Sequence, residues 1–398
     1  MKSELLTNLV DYLITWLCYG DETLASRVAY TADEKELEHY DVLIVPNGEL
    51  GLRIVAPDMK NVVVEQPAKH KAIIRTDIVY NAFFFTSRAE ELFNTERDEH
   101  GRFTANFSLL GYNNRLQIPM LDEHARLLLK LLNAPLPTPG FNHIYLTHDI
   151  DTISQYRHLR GALGGFLKGQ GRKVLDAWKD IRLDPLYTFP WLIKQDKLVT
   201  SGAAGSLTSV IYFVKMTEGE GYDYPQYNLH GRDFTRLLNR LLDSGAKLGI
   251  HSSYYGKLKN IDYSVPDIRT TCHRSHYLRG SIRFFKALVE AGITDDFTMG
   301  FADQAGFRLQ TTRAVRWINP LTYKLTTLTL HPLTIMDCSL SNANYMNLGE
   351  DEAYFVCERL IEKVRLHHGD LCLLWHNSIL TPDTYHKSLY TKLLQLIQ

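Results

Sequence analysis

Three short apolar runs of this 398-residue chain each end in residues fit for metal or proton chemistry. They read IYLTHDID at 144–151, AKLGIH at 246–251 and LCLLWH at 371–376. In folds built on parallel strands, catalytic groups gather at the carboxyl ends of the strands, which meet at one edge of the sheet. One apolar run that ends in a polar residue is ordinary. Three runs that end in a carboxylate pair and two imidazoles predict a single metal-hydrolytic site.

Strand and helix patterns alternate along the chain and predict two α/β domains. We expect a smaller N-terminal α/β accessory domain over 1–135, a proline-rich linker over 136–142 and a second domain over 143–398. The linker expectation rests on the sequence PLPTPG at 135–140, because three prolines and a glycine do not continue a helix. From the pattern alone, the second domain is either a (β/α) barrel or an open doubly wound sheet.

The composition is that of an ordinary globular protein, with 45% hydrophobic residues, 22% charged residues and a formal net charge of −1. No general basic field exists to hold nucleic acid, so a nucleic-acid partner is not expected. The five cysteines are scattered and form no CxxC pair. This favours reduced thiols in a reducing compartment over a cysteine-zinc site.

The N-terminal segment has apolar residues at helical spacing, interrupted by Asn8 and Asp11. The pattern predicts an amphipathic helix that packs on its own domain rather than a secretion signal. No run of about 18 apolar residues occurs, so we expect no transmembrane segment. The protein is therefore expected to be cytoplasmic, with peripheral membrane contact left open.

Asp149 and Asp151 flank Ile150 at the end of the first run, where alternate side chains of an extended chain share a face. Two carboxylates on one face repel each other unless a cation or a proton separates them. A divalent metal would solve this, with one carboxylate as ligand and the other left as a base. The alternative is a helix cap, since Asp151 precedes a possible helix.

Three histidines are candidates for the same site. His251 ends the second run and is either a metal ligand or a half-buried side chain that donates to a backbone carbonyl. His276 lies in the polar stretch RSHYLR at 274–279 and is either a site residue or a surface histidine. His376 ends the most apolar run, where it either protonates a leaving amine or packs and caps.

Two further charged residues follow apolar stretches. Arg308 is either the partner that orients Asp149 or a member of a surface ion pair. Asp337 is either a site residue or a turn carboxylate. The chain has no glycine-rich phosphate loop with GKS or GKT and no GxSxG elbow, so phosphate-loop and serine-hydrolase readings have no candidate residues.

Taken in chain order, four segments resemble the motifs of the polysaccharide deacetylase family, whose members share the NodB homology domain of carbohydrate esterase family 4. They are THDID at 147–151, GIHS at 249–252, GFR at 306–308 and LLWHN at 373–377. The resemblance covers about residues 140 to 398 and implies a deformed (β/α)7-type barrel. AFF at 82–84 and RDEHGRF at 97–103 also resemble a bacterial branch with an extra N-terminal domain.

The resemblance implies a metal-dependent deacetylase that removes an N-acyl group, expected to be acetyl, from an amino sugar or an oligosaccharide. A divalent metal, expected to be zinc, would be held by Asp151 and His251. The motifs also imply that Asp149 is the base and that Arg308 orients it. His376 would be the general acid, and Asp337 would correspond to the aspartate of the fourth motif. Because no signal peptide is evident, a cytosolic nucleotide-linked or lipid-linked precursor of surface polysaccharide is the expected substrate.

One departure from the family pattern concerns the metal ligands. The usual second motif has two histidines four residues apart, but Tyr255 stands four residues after His251. His276 is a candidate for the missing ligand. Alternatively, the site is incomplete and the barrel is a carbohydrate-binding or assembly module. A third reading, a glycoside hydrolase, needs a second carboxylate across the pocket, for which Asp303 and Asp337 are the candidates.

Overall fold

The structure is a computed structural model with two β-sheets and surrounding helices. It describes residues 2–48, 50–57, 59–112, 115–216, 221–224, 227–255 and 270–398. One sheet has four strands and belongs to the N-terminal third of the chain. The other has nine strands and carries the candidate site.

The small sheet has the strand order β1-β2-β4-β3. Its strands are β1 (Val28–Tyr30), β2 (Val42–Ile44), β3 (Val64–Ala68) and β4 (Lys71–Ile74). All neighbours are parallel except β3, which pairs with β4 in the antiparallel sense. The helices of this region are α1 (Lys2–Leu17), α2 (Glu22–Ala25), α3 (Ile78–Thr86), α4 (Glu90–Phe93), α5 (Leu109–Tyr112) and α6 (Met120–Leu131).

The large sheet is formed by the remaining nine strands. They are β5 (His143–Ile150), β6 (Thr208–Lys215), β7 (Lys247–Ser252), β8 (Cys272–Ser275), β9 (Asp295–Asp296), β10 (Val315–Asn319), β11 (Lys324–Leu330), β12 (Ile335–Met336) and β13 (Asp370–Leu374). Their order is β10-β11-β9-β8-β7-β6-β5-β13-β12. Every neighbouring pair is parallel except β10 and β11.

Helices connect strands of the large sheet, and one further helix follows its last strand. The connecting helices are α7 (Leu159–Leu167), α8 (Gly171–Lys179), α9 (Phe189–Thr200), α10 (Arg232–Asp243), α11 (Ile282–Glu290), α12 (Asp337–Ser341) and α13 (Glu350–Leu366), and α14 (His386–Ile397) follows β13. The mixed α/β class and a curled, mostly parallel sheet are as expected for a deformed barrel. The exact (β/α)7 form remains a prediction.

Helix α1 packs into the core through one face. Leu9, Leu13 and Leu17 recur every four residues and are buried, which places them on one side of the helix. The indole N–H of Trp16 donates to the carbonyl oxygen of Ala314 at 3.0 Å. Among the described residues, no helix is both long and apolar enough to cross a membrane.

The two predicted domains share one hydrophobic core. Buried apolar residues of α1 and α3 belong to the same cluster as those of β6, β10 and β11. No helix or strand lies between the end of α6 at Leu131 and the start of β5 at His143. The boundary near residue 135 is therefore a break in secondary structure, and the core continues across it.

Candidate metal centre and its pocket

The candidate residues follow neighbouring parallel strands of the large sheet. Asp149 lies on β5 and Asp151 directly after it, His251 lies on β7, and His276 comes directly after β8. His376 follows β13 on the other side of β5. Because β13, β5, β6, β7 and β8 all run in the same direction, these side chains meet at one edge of the sheet.

Asp151, His251 and His276 bring one ligand atom each to a common point, and these atoms all lie within 4.8 Å of one another. The Oδ1 atom of Asp151 is 3.3 Å from Nε2 of His251 and 3.2 Å from Nε2 of His276. The Oδ1 atom of Asp151 and the Nε2 atom of His251 are buried, and neither forms a hydrogen bond of good geometry with the described residues, although they lie 3.3 Å apart. Buried polar atoms without a partner are costly, so the cluster has the character of a site that a further group completes.

The donor set fits a zinc-like divalent ion. One carboxylate oxygen and two imidazole nitrogens are a common ligand set in catalytic zinc sites, which keep a further position open. Two ligand atoms at about 2.0 to 2.1 Å from a tetrahedral ion lie about 3.3 Å apart. The separations of 3.3 and 3.2 Å around the Asp151 oxygen match that spacing.

A second layer of contacts orients the two imidazoles. The Nδ1 atom of His276 lies 2.8 Å from Oδ1 of Asp223, and the Nδ1–H of His251 donates to the carbonyl oxygen of Arg274 at 3.0 Å. With Nδ1 occupied in this way, each ring turns Nε2 toward Asp151. Sequence reasoning missed Asp223, which lies on a short 3₁₀ turn (Gly221–Asp223) far from His276 in the chain.

The charges of the cluster reinforce one another. Burial alone would raise the pKa of Asp151, but His276 and His251 hold it well below its ordinary value. Burial would likewise lower the pKa of His276, but Asp151 and Asp223 raise it to about 9. In the absence of a cation, a proton on His276 therefore balances the carboxylates.

Tyr255 is not part of the cluster. Its side chain is about half exposed, whereas His276 is buried beside Asp151. The reason is the strand order, since His251 ends β7 and His276 follows the adjacent parallel strand β8. The third ligand candidate, His276, thus comes from the segment after the neighbouring strand β8 and not from position 255, four residues after His251.

The carboxylate of Asp149 is buried and paired with Arg274, not with Arg308. The Nη1–H of Arg274 donates to Oδ1 of Asp149 at 3.1 Å, and its guanidinium lies over the Phe213 ring at 4.5 Å. The other carboxylate oxygen of Asp149 faces the metal cluster, 3.8 Å from Nε2 of His251. Arg274 stands on β8, beside His251 on β7.

Arg308 is buried elsewhere, so the expected contact between Arg308 and Asp149 is wrong. Its guanidinium donates to Oε1 of Glu91 at 2.7 Å and to the carbonyl oxygen of Gly300 at 2.9 Å. Glu91 lies on α4 in the N-terminal region, where burial would raise its pKa but Arg88, Arg308 and Arg97 lower it. Arg308 therefore pairs with Glu91 of α4 instead of Asp149, and the motif pattern contains no counterpart of this glutamate.

His376 and Asp337 form a dyad on the opposite side of the pocket. The Nδ1 atom of His376 lies 2.8 Å from Oδ1 of Asp337, and its Nε2 atom is 4.0 Å from Oδ2 of Asp149. Burial would lower the pKa of His376, but Asp337 and Cys338 raise it well above its ordinary value. The contact with Asp337 therefore favours the protonated imidazole, and its Nε2 atom faces the pocket.

The pocket above these residues has a volume of about 350 Å³. Its walls include four tyrosines, Tyr222, Tyr224, Tyr277 and Tyr345, and Arg102 from the N-terminal region. Asp303 does not line this pocket within the described part of the chain and accepts a hydrogen bond from the backbone N–H of Ala105 at 3.0 Å. Asp337 is paired with His376. Neither Asp303 nor Asp337 is therefore the free carboxylate across the pocket from Asp149 that the glycoside-hydrolase hypothesis requires.

Fold and pocket together define a mixed α/β protein with a candidate metal-hydrolytic centre. Residues 7–137 match the model of a family of unknown function, DUF7033. The chain is also similar to the crystal structure of a "putative polysaccharide deacetylase" from Mycobacterium smegmatis, with 13% sequence identity and a TM-score of 0.40. That similarity covers 66% of this chain and 88% of that chain. No curated protein matches the chain significantly.

Neither match defines what this chain does. The family match covers less than half of the chain, and the structural similarity is too low to carry an inference about activity. The functional argument therefore rests on the geometry of the pocket.

Proposed function

We propose that this protein is a metal-dependent hydrolase that removes an N-acyl group from an amino sugar. The observation that carries the proposal is one pocket with three parts. An Asp151–His251–His276 cluster fits a divalent ion, the carboxylate of Asp149 lies beside it, and a charged imidazole, that of His376, faces both. These are the groups that amide hydrolysis requires.

When bound, the divalent ion would supply Lewis acidity to a water molecule and to the acyl carbonyl. Asp149 accepts the proton of the attacking water, because its Oδ2 atom faces the cluster while Arg274 holds Oδ1. The buried Arg274 also fixes the rotamer of this base.

His376 donates the proton that the departing nitrogen needs. Its Nε2–H faces the same pocket from the other side of Asp149, at 4.0 Å. Asp337 holds Nδ1 and keeps the imidazole charged, so the proton is ready when the C–N bond breaks. A base and an acid on opposite sides of one pocket divide the two proton transfers of the reaction between them.

The proposed substrate is an N-acylated amino sugar, either free or within an oligosaccharide. Tyrosines line the pocket, and flat aromatic rings with a hydroxyl group suit a sugar ring that has an apolar face and polar edges. The motif order in the sequence supports the same substrate class.

The test combines metal content with turnover. Purified protein is analysed by elemental mass spectrometry and assayed for acetate release from N-acetylglucosamine oligosaccharides. We expect about one zinc ion per chain, lost in His251→Gln and His276→Gln. Asp149→Asn should keep the metal and lose turnover, because this residue acts as a base rather than a ligand. His143→Gln, on the same strand as Asp149 but outside the cluster, serves as the control and should change neither quantity.

Two results would contradict the proposal. One is full turnover in Asp149→Asn, which would remove the proposed base. The other is a wild-type protein that binds no divalent metal after reconstitution, which would instead favour a binding module that only retains the pocket.

A further inference from the structure

The hairpin of α7 and α8 exposes an unusual number of large apolar side chains. On α7, Leu159, Leu163 and Leu167 are 83%, 62% and 80% exposed. Their spacing of four residues, joined by the half-exposed Phe166, forms one continuous face of the helix. Exposed leucines that occur singly are ordinary, but a contiguous apolar face of this kind marks an interaction surface.

The second helix of the hairpin continues this character. Leu175 and Trp178 on α8 are about half exposed, and Leu183 follows on the next short turn. Seven of the large apolar side chains exposed on the described surface therefore fall within residues 159–183.

Positive charge surrounds these apolar residues. Residues 159–183 contain six lysines and arginines and two aspartates, a net charge of +4 in a chain whose formal net charge is −1. All six cations are exposed: Arg160, Lys168, Arg172, Lys173, Lys179 and Arg182. The hairpin is therefore a local basic and apolar surface on a chain whose remaining residues carry a net charge of −5.

The hairpin is held in place by contacts on its buried side. Val174 and Ala177 of α8 pack against Tyr156, and the indole N–H of Trp178 donates to the Tyr156 carbonyl oxygen at 2.7 Å. At the start of α7, His158 lies 3.4 Å from the hydroxyl group of Tyr224, which lines the catalytic pocket. The exposed surface is thus fixed next to the mouth of the pocket.

We propose that the α7–α8 hairpin docks the protein on a membrane surface that contains anionic lipids. The apolar face of α7 would enter the boundary between headgroups and acyl chains, and the surrounding lysines and arginines would contact anionic headgroups. Charge complementarity is the argument for this occupant over a second copy, because two hairpins that each carry a net charge of +4 would repel each other across a shared interface. Docking in this orientation would hold the pocket close to the membrane, independently of the catalytic proposal.

Vesicle co-sedimentation tests the proposal. The full chain is mixed with vesicles of phosphatidylcholine alone or of phosphatidylcholine with phosphatidylglycerol, at low and high salt. We expect sedimentation with the mixed vesicles, a decrease at high salt, and weak binding to phosphatidylcholine alone. In the double variant Leu163→Gln/Leu167→Gln, the partition coefficient should fall by about tenfold or more. Glutamine keeps helix propensity, and both positions are exposed, so the fold should persist and is verified by circular dichroism.

A matched control removes two exposed apolar side chains elsewhere. Leu321→Gln/Phe355→Gln changes residues that are 64% and 56% exposed outside the hairpin and should bind like wild type. The proposal is overturned if the wild type does not sediment with mixed vesicles, or if both double variants bind equally well. It is also overturned if ultracentrifugation without vesicles shows a dimer that Leu163→Gln/Leu167→Gln dissociates, since a second copy would then cover the hairpin.

Discussion

Replacing Arg274 and Arg308 separately would show which arginine serves the proposed base. Arg274→Gln removes the donor that lies 3.1 Å from Asp149, whereas Arg308→Gln removes the donor that lies 2.7 Å from Glu91. Both guanidinium groups are almost fully buried. The two variants therefore make the same chemical change at buried positions, and only Arg274 contacts a residue that lines the pocket, Asp149.

The expected losses of stability differ. Removing one partner of a buried ion pair costs about 3 to 5 kcal/mol when the other charge stays buried without compensation, which applies to Arg274→Gln. Arg308→Gln should cost less, because Glu91 keeps its ion pairs with Arg88 and Arg97. The expected losses of activity differ. Without Arg274, the Asp149 carboxylate is free to change rotamer, and displacement of a reacting group by about 1 Å costs about 100-fold in rate. Arg308→Gln should leave the turnover number of the folded protein close to that of wild type.

Urea unfolding followed by circular dichroism gives the free energy of unfolding and the folded fraction without urea. Acetate release per folded molecule then gives the turnover number. If Arg308→Gln lowers turnover per folded molecule as much as Arg274→Gln does, the argument from geometry is refuted. Arg274→Lys offers a further check, since it restores the charge without the planar donor pair and should recover stability more than rate.

Three further predictions concern the metal site, the pH dependence of stability and one backbone position. Asp223→Asn should weaken zinc binding about 10- to 100-fold in a chelator competition, because Asp223 orients His276, whereas Asp296→Asn, which breaks an aspartate–histidine pair outside the cluster, should not. Burial lowers the pKa of His124 to about 4. Below pH about 6.5, His124 takes up a proton in the unfolded chain but stays neutral in the folded chain. The free energy of unfolding should therefore fall by about 3 kcal/mol between pH 6.5 and 4. In His124→Gln this decrease in the free energy of unfolding, measured by urea unfolding at each pH, should be absent. Gly306→Ala should lower the unfolding free energy by about 1 to 3 kcal/mol, because φ is 149° and a Cβ atom would lie 2.4 Å from a backbone oxygen; an unchanged urea midpoint would contradict this.

The positions of the strand ends could be predicted from local pattern. An apolar run that stops at a polar residue marks the end of a buried strand, and parallel strands bring such ends together. For that reason the sequence pattern predicts Asp149, Asp151, His251 and His376 at one edge of the sheet. His276 is indicated less directly, because the only signal for it is that Tyr255 stands where a second histidine is expected.

The partners of these residues could not be predicted in the same way. Asp223 contacts His276 across a separation of 53 residues, and nothing in its local sequence distinguishes it from a turn aspartate. Arg274 precedes His276 by two residues in the stretch RSHYLR, whose polarity was the only available signal. Its contact with Asp149 depends on the order β5-β6-β7-β8, a property of the sheet that a single strand does not encode.

The segment that contains Arg308 forms ion pairs with the N-terminal region, whereas its motif predicts a contact with Asp149. Arg308 pairs with Glu91, and Arg313, five residues later, pairs with Asp122 at 2.9 Å. Both carboxylates are buried and belong to the N-terminal region, while both arginines belong to the region after residue 143. Separation of the two regions would leave Arg308, Arg313 and Asp122 without their charged partners, which is strongly unfavourable. Since Arg102 of the N-terminal region also lines the pocket beside Asp149 and His376, the N-terminal region contributes to the proposed catalytic site.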